Sequence, residues 1–128
     1  NAYVGRGQMT LLKRIYGKFV FENKKVVVIT STSGTPVGED EELLDPEYVE
    51  YCKNKKTLIE YIEQLQQELM NKPLSVYDVC PDVVDTDMTK GLWEDLPKLK
   101  AEEVAEAVRY CFESTFNVNK MVIQKNAS

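Results

Sequence analysis

The sequence predicts an α/β protein whose core is a parallel sheet of three strands interleaved with three main helices. Apolar residues recur at helical spacing in three separate stretches, and each stretch is followed by a short, largely apolar run of strand length. Polar or proline-containing segments divide these stretches. The resulting order of helix, strand, helix, strand, helix, strand requires crossover connections, which place parallel strands side by side with helices on the sheet faces. A chain of 128 residues suits one domain with a core of its own, so residues 1–128 are read as a single domain.

The first helix is expected from about Met9 to Phe21, with apolar positions at Leu11, Leu12, Ile15, Phe19 and Val20. After the polar break Glu22 to Lys25, the β-branched run Val26-Val27-Val28-Ile29 suits a strand buried on both faces of a parallel sheet. It ends in Thr30-Ser31-Thr32-Ser33-Gly34, a hydroxyl-rich turn at the strand end where open α/β sheets hold their ligands. An acidic, irregular loop over 35–44 leads to Asp45-Pro46-Glu47, which supplies an N-cap, a first-turn proline and a carboxylate matched to the helix dipole. The second helix then runs to about Met70. Leu74 to Cys80 reads as the second strand, followed by a loop from Pro81 to Met88 and a short flap from Gly91 to Pro97 that carries Trp93. From Ala101, the residues Val104, Val108, Cys111, Phe112 and Thr115 mark the third helix, and Met121-Val122-Ile123 the last strand.

Composition excludes several functions. Net charge is −5 with no long basic run, which argues against a nucleic-acid surface. No apolar stretch approaches membrane-spanning length and no secretory pattern opens the chain, so a cytoplasmic location is expected. Cys52, Cys80 and Cys111 lack metal-site or disulfide spacing and read as small core residues. The sequence contains no histidine, so Ser-His-Asp and Cys-His chemistry and His-bound metals are ruled out. Any proton transfer must use Tyr, Lys, Asp or Glu. The chain opens on Asn1 rather than Met, and is therefore expected to be a portion of a longer protein.

Lys55 is the anomalous residue. On a helical wheel Tyr51, Lys55, Leu58, Ile62, Leu65 and Leu69 share one narrow face, whereas Lys53 and Lys56 point away from it. An ammonium on an apolar stripe is costly unless something compensates it. Tyr51, one turn earlier, is in reach at i and i+4, the arrangement that lowers a phenol pKa from about 10 toward neutrality. With 7 Tyr and 13 Lys in the chain, a Y-x-x-x-K match arises by chance about 0.7 times. Its context therefore carries the weight, against the plain alternative of a lysine snorkelling near a helix end. In a parallel sheet the ends of the first two strands lie on one edge with the start of the intervening helix close by, so Ser31, Tyr51, Lys55 and Thr86 could converge.

These elements, in this order, resemble the C-terminal half of a short-chain dehydrogenase/reductase. The matching segments are Val28 to Gly34, for a strand ending in a catalytic serine; Tyr51-Cys52-Lys53-Asn54-Lys55, for Y-x-x-x-K; and Cys80 to Met88, for a P-G-x-V-x-T-D-M loop. Leu99 to Asn117 is similar to a segment of the branch that includes insect farnesol dehydrogenases and related NADP-dependent alcohol dehydrogenases. The resemblance implies a partial Rossmann-like, doubly wound sheet lacking its N-terminal Gly-rich half. It further implies an oxidoreductase that interconverts an alcohol and a carbonyl with NADP(H) or NAD(H).

In that scheme Tyr51 is the general acid/base, Lys55 holds the nicotinamide ribose and lowers the Tyr51 pKa, and Ser31 hydrogen-bonds the substrate oxygen. Pro81, Val84 and Thr86 would seat the nicotinamide carboxamide, and Asn1 would match a structural asparagine on the preceding helix. A homodimer through the long helices, or a missing N-terminal half as partner, is also implied. Three features depart from the pattern: no G-x-x-x-G-x-G occurs, Asp82 replaces a glycine, and the Ser31 to Tyr51 interval is long. They leave open a second reading, a non-catalytic fragment serving as a binding or assembly module.

Overall fold

The computed structural model describes residues 6–31, 46–82, 84 and 97–125. Helix α1 spans Arg6–Phe19, strand β1 Lys25–Ile29, helix α2 Pro46–Glu68, strand β2 Ser75–Pro81, helix α3 Ala101–Glu113 and strand β3 Lys120–Ile123. The three strands form one parallel sheet in the order β1-β2-β3. This is the α/β architecture expected from the sequence.

Each face of the sheet is covered by different helices. On one face Leu58, Ile62 and Leu65 of α2, Leu69 just past its end and Leu12 of α1 close over Val28, Leu74 and Val76. On the other, Ala107 and Cys111 of α3 pack on Tyr77 and Val79. The strand period of two accounts for the division, because Val76 and Tyr77 are neighbours in sequence and face opposite layers. The α2 stripe matches the wheel: Tyr51, Leu58, Ile62, Leu65 and Leu69 are buried, whereas Lys53 and Lys56 are exposed. Burial of each large aliphatic side chain contributes about 1.5–3 kcal/mol.

Several sequence expectations need correction. β1 packs on both faces, with Val26 and Val28 in one layer and Val27 in the other, but only Val28 is buried. It is an edge strand among the described residues, pairing only with β2, and Ile29 is 42% exposed. Lys25 belongs to β1 rather than to the preceding polar break. Its Nζ donates to the carbonyls of Phe112 at 3.1 Å and Ser114 at 2.6 Å, so it satisfies the C-terminal end of α3 where the helix dipole favours a cation. Leu11, expected inward, is 58% exposed, because the inward face of α1 centres on Leu12. α3 ends at Glu113, leaving Thr115 outside it and Phe112 exposed. Cys80 and Cys111 are buried as expected, whereas Cys52 is half-buried.

Candidate active site

Three of the residues singled out in the sequence, Ser31, Pro81 and Val84, lie at or just beyond the C-terminal ends of β1 and β2. β1 continues its pairing one residue past Ile29, since the Thr30 N–H donates to the Val79 carbonyl at 2.8 Å; half-buried Ser31 follows immediately. Pro81 closes β2, buried and in register with Ile123 of β3. The Asp82 N–H donates to the Ile123 carbonyl at 2.9 Å, tying the start of the next loop to β3. Val84 bridges to Leu99, which anchors that loop just ahead of α3. Asn1 and Thr86 lie outside the described residues, as do Met88, Trp93 and the flap from Gly91 to Leu96.

Tyr51 and Lys55 occupy consecutive turns at the N-terminal end of the α2 stripe. The Tyr51 side chain is buried, with 8% of its surface exposed. Lys55 is half-buried, and its Nζ lies 5.7 Å from the Tyr51 ring centroid, within the range of a cation–π contact. Burial lowers the Lys55 pKa below the usual lysine value, and the negative charge of Asp78 opposes that shift. The amine is therefore not a snorkelling lysine in bulk water. Its Nζ donates a hydrogen bond of 2.7 Å to Gln8 Oε1 on α1.

Three residues that the sequence reading missed complete this polar cluster. Gln8 also donates from Nε2 to the Ile29 carbonyl at 3.1 Å, so one amide joins α1, α2 and the end of β1. Asp78, in the middle of β2, is only 2% exposed, and buried Thr30 donates from Oγ1 to its carboxylate. Burial raises the Asp78 pKa; the Thr30 hydrogen bond and the charges of Lys120 and Lys55 pull it down, and Glu63 adds to the rise. Both Gln8 and Asp78 left a signal. Gln8 precedes buried Leu12 by one turn on the inward face of α1, and Asp78 is the one charge inside an otherwise apolar strand.

The arrangement holds a cation beside a tyrosine ring and ties it through Gln8 to the end of β1, with a serine two residues beyond that strand. No family model matches this sequence, and no curated protein does either. The fold does have solved counterparts. Serine dehydrogenase from Escherichia coli superposes with a TM-score of 0.68 at 19% identity, over 92% of this chain and 48% of that one. A short chain dehydrogenase from Burkholderia cenocepacia in complex with NADP gives a TM-score of 0.70 at 21% identity, over 93% and 51%. An alcohol dehydrogenase from the archaeon Thermococcus sibiricus, complexed with 5-hydroxy-NADP, gives 0.67 at 21% identity, over 91% and 48%. The chain spans about half the length of these structures, and its fold is that of a portion of a short-chain dehydrogenase/reductase.

Proposed function

We propose that the chain is the C-terminal portion of a nicotinamide-dependent oxidoreductase that interconverts an alcohol and a carbonyl through Ser31, Tyr51 and Lys55. The observation that carries this reading is the half-buried Lys55 ammonium, 5.7 Å from the Tyr51 ring centroid and joined through Gln8 to the carboxyl end of β1. The structural neighbours solved with NADP support the choice of cofactor. In this reading Lys55 would offer an ammonium to the ribose hydroxyls, Pro81 and Val84 would offer apolar side chains to the nicotinamide, and Thr86, outside the described residues, would complete the carboxamide seat. The cofactor supplies or accepts a hydride at the substrate carbon.

The chain's own residues handle the proton. Tyr51 would hold it on the phenolic oxygen and pass it to the carbonyl oxygen during reduction, or take it back during oxidation. Negative charge then develops on the phenol, and a cation a few ångströms away in a partly dry site stabilises it more than the same cation in water would. Ser31 would orient the substrate oxygen through its hydroxyl, and Asn1 would serve as the structural asparagine on the preceding segment. A placement nearer the farnesol dehydrogenase-like branch rests on the Leu99 to Asn117 segment. A homodimer formed through α1 and α2, and a cytoplasmic location, belong to the same proposal; exposed Leu11 on α1 supports the former.

The test is NADPH oxidation by the protein expressed from its whole reading frame, assayed with a panel of aldehydes and ketones. Turnover that disappears in Tyr51→Phe is expected. Absence of turnover in the wild type, or its survival in Tyr51→Phe, overturns the proposal. Asp82, half-buried where the resembling family carries glycine, favours one rival: a non-catalytic fragment acting as an assembly module. Stoichiometric association with another protein, without cofactor uptake, would establish that rival.

A further inference from the structure

We propose that Gln8 is a positioning residue of the site, fastening the Lys55 ammonium to the end of β1 so that the cation stays both charged and aimed at Tyr51. This deepens the oxidoreductase reading and rests on it for its catalytic consequence, but the positioning itself is a property of the folded chain.

The geometry carries the inference. Gln8 uses both ends of its amide, accepting from Lys55 Nζ at 2.7 Å and donating to the Ile29 carbonyl at 3.1 Å. An amide engaged at both ends has its orientation determined, and a rotation that improved one bond would lengthen the other. The Ile29 carbonyl is a suitable anchor. Lys24 accepts from Ser75 and Thr30 donates to Val79, so even-numbered residues of β1 turn their backbone groups toward β2. Alternation then points the Ile29 carbonyl to the open edge of the strand, where among the described strands no ladder partner meets it. The Gln8 amide meets that acceptor and transfers the rigidity of the sheet to a long, four-carbon side chain that would otherwise sample many rotamers.

Charge gives the same conclusion. Among the described residues, two groups besides Gln8 set the electrostatic surroundings of Lys55: the Tyr51 ring on its own helix and Asp78 on β2, which itself feels the charges of Lys120 on β3 and Glu63 on α2. Burial favours the neutral amine, and a neutral amine would neither attract ribose hydroxyls strongly nor stabilise a phenolate. A hydrogen bond accepted from the ammonium at 2.7 Å is of the strong, charge-assisted kind, and it favours the protonated form. Helix α1, which carries none of the family-matched motifs among its described residues, thereby becomes part of the site.

The experiment titrates Lys55 directly, by NMR of side-chain-labelled lysine in the full-length protein, in wild type, Gln8→Leu and Gln8→Glu. In Gln8→Leu the proton affinity of Lys55 is expected to fall about tenfold, the size expected for loss of one hydrogen bond to a charged group. In Gln8→Glu it is expected to rise, since an anion replaces the amide oxygen at the same reach. A Lys55 titration that is unchanged in both variants overturns the inference, and the Glu variant alone decides it should the Leu variant not fold. Turnover is measured alongside. If the wild type lacks turnover, the oxidoreductase reading fails while the titration still decides the role of Gln8. If turnover is present, Gln8→Leu is expected to shift the pH profile of kcat along with the Lys55 titration, a change that a purely structural role would not produce.

Discussion

The inward stripe of α2 has two ends that look alike on a helical wheel and differ in every physical property. From Leu58 to Leu69 it is dry and aliphatic, closing over Val28, Leu74 and Val76. Toward its N-terminal end the same stripe carries Lys55 and Tyr51, with Gln8 bonded to Lys55 and the charge of Asp78, itself bonded by Thr30, acting on it. The aliphatic end gains stability from area removed from water and is indifferent to pH. The polar end spends part of that gain on desolvating an ammonium and a carboxylate, so its residues are better explained by chemistry than by folding. The lesson is that burial identifies a core, and a charge within the same stripe identifies a candidate site.

Breaking the polar end should separate function from stability most sharply. Under the proposed oxidoreductase function, Lys55→Met is expected to lower kcat/KM of the full-length protein by about 10²- to 10³-fold, the size seen when a preorganised charge-stabilising donor is removed. Its unfolding free energy in urea should change by less than about 1 kcal/mol, because loss of the bond to Gln8 is offset by the end of ammonium desolvation. If Lys55→Met instead unfolds the protein, the two ends are equivalent and the comparison fails.

The aliphatic end should respond the opposite way. Leu58→Ala and Ile62→Ala remove side chains with no exposed surface and are expected to destabilise by about 2–5 kcal/mol in urea titrations. A smaller loss, about 1–2 kcal/mol, is expected for Lys25→Met, read from the thermal midpoint. That lysine caps the C-terminal end of α3 on the far face of the sheet and should leave the site intact.

The subtlest effect is a slope in pH. Burial raises the Asp78 pKa above 3.8, so at pH values between the unfolded and the folded pKa the folded state holds a proton that the unfolded chain releases. Stability from this group is complete below the unfolded value and is lost as pH rises through the folded one. Lys55, lowered from 10.5 by burial, has the converse sign: its penalty applies below the folded pKa and is relieved as pH rises from there toward 10.5. Asp78→Asn keeps an acceptor for the Thr30 hydroxyl while removing the charge. It should therefore be more stable than wild type near neutrality, with the difference shrinking toward pH 4 in unfolding measurements across the acid range. An unchanged difference over that range would show that Asp78 does not titrate with folding.

Element order, the parallel sheet, the register of the α2 stripe and the unusual placement of Lys55 were all determined by the sequence alone. These depend on local periodicity: 3.6 residues for a helix and two for a strand, together with the steric preference of β-branched runs. Tyr51, one turn away, was legible as a neighbour of Lys55, whereas the partners of this polar end on other elements were decided only by the tertiary structure. Gln8 lies 47 positions away along the chain and Thr30 lies 48 positions from Asp78, so neither pairing leaves a local pattern. The edge position of β1 was hidden for a related reason, since Val26 to Ile29 reads as apolar whether or not a further strand lies beside it. Periodicity reports which way a side chain faces, whereas what it meets there is set by the packing of elements remote in sequence.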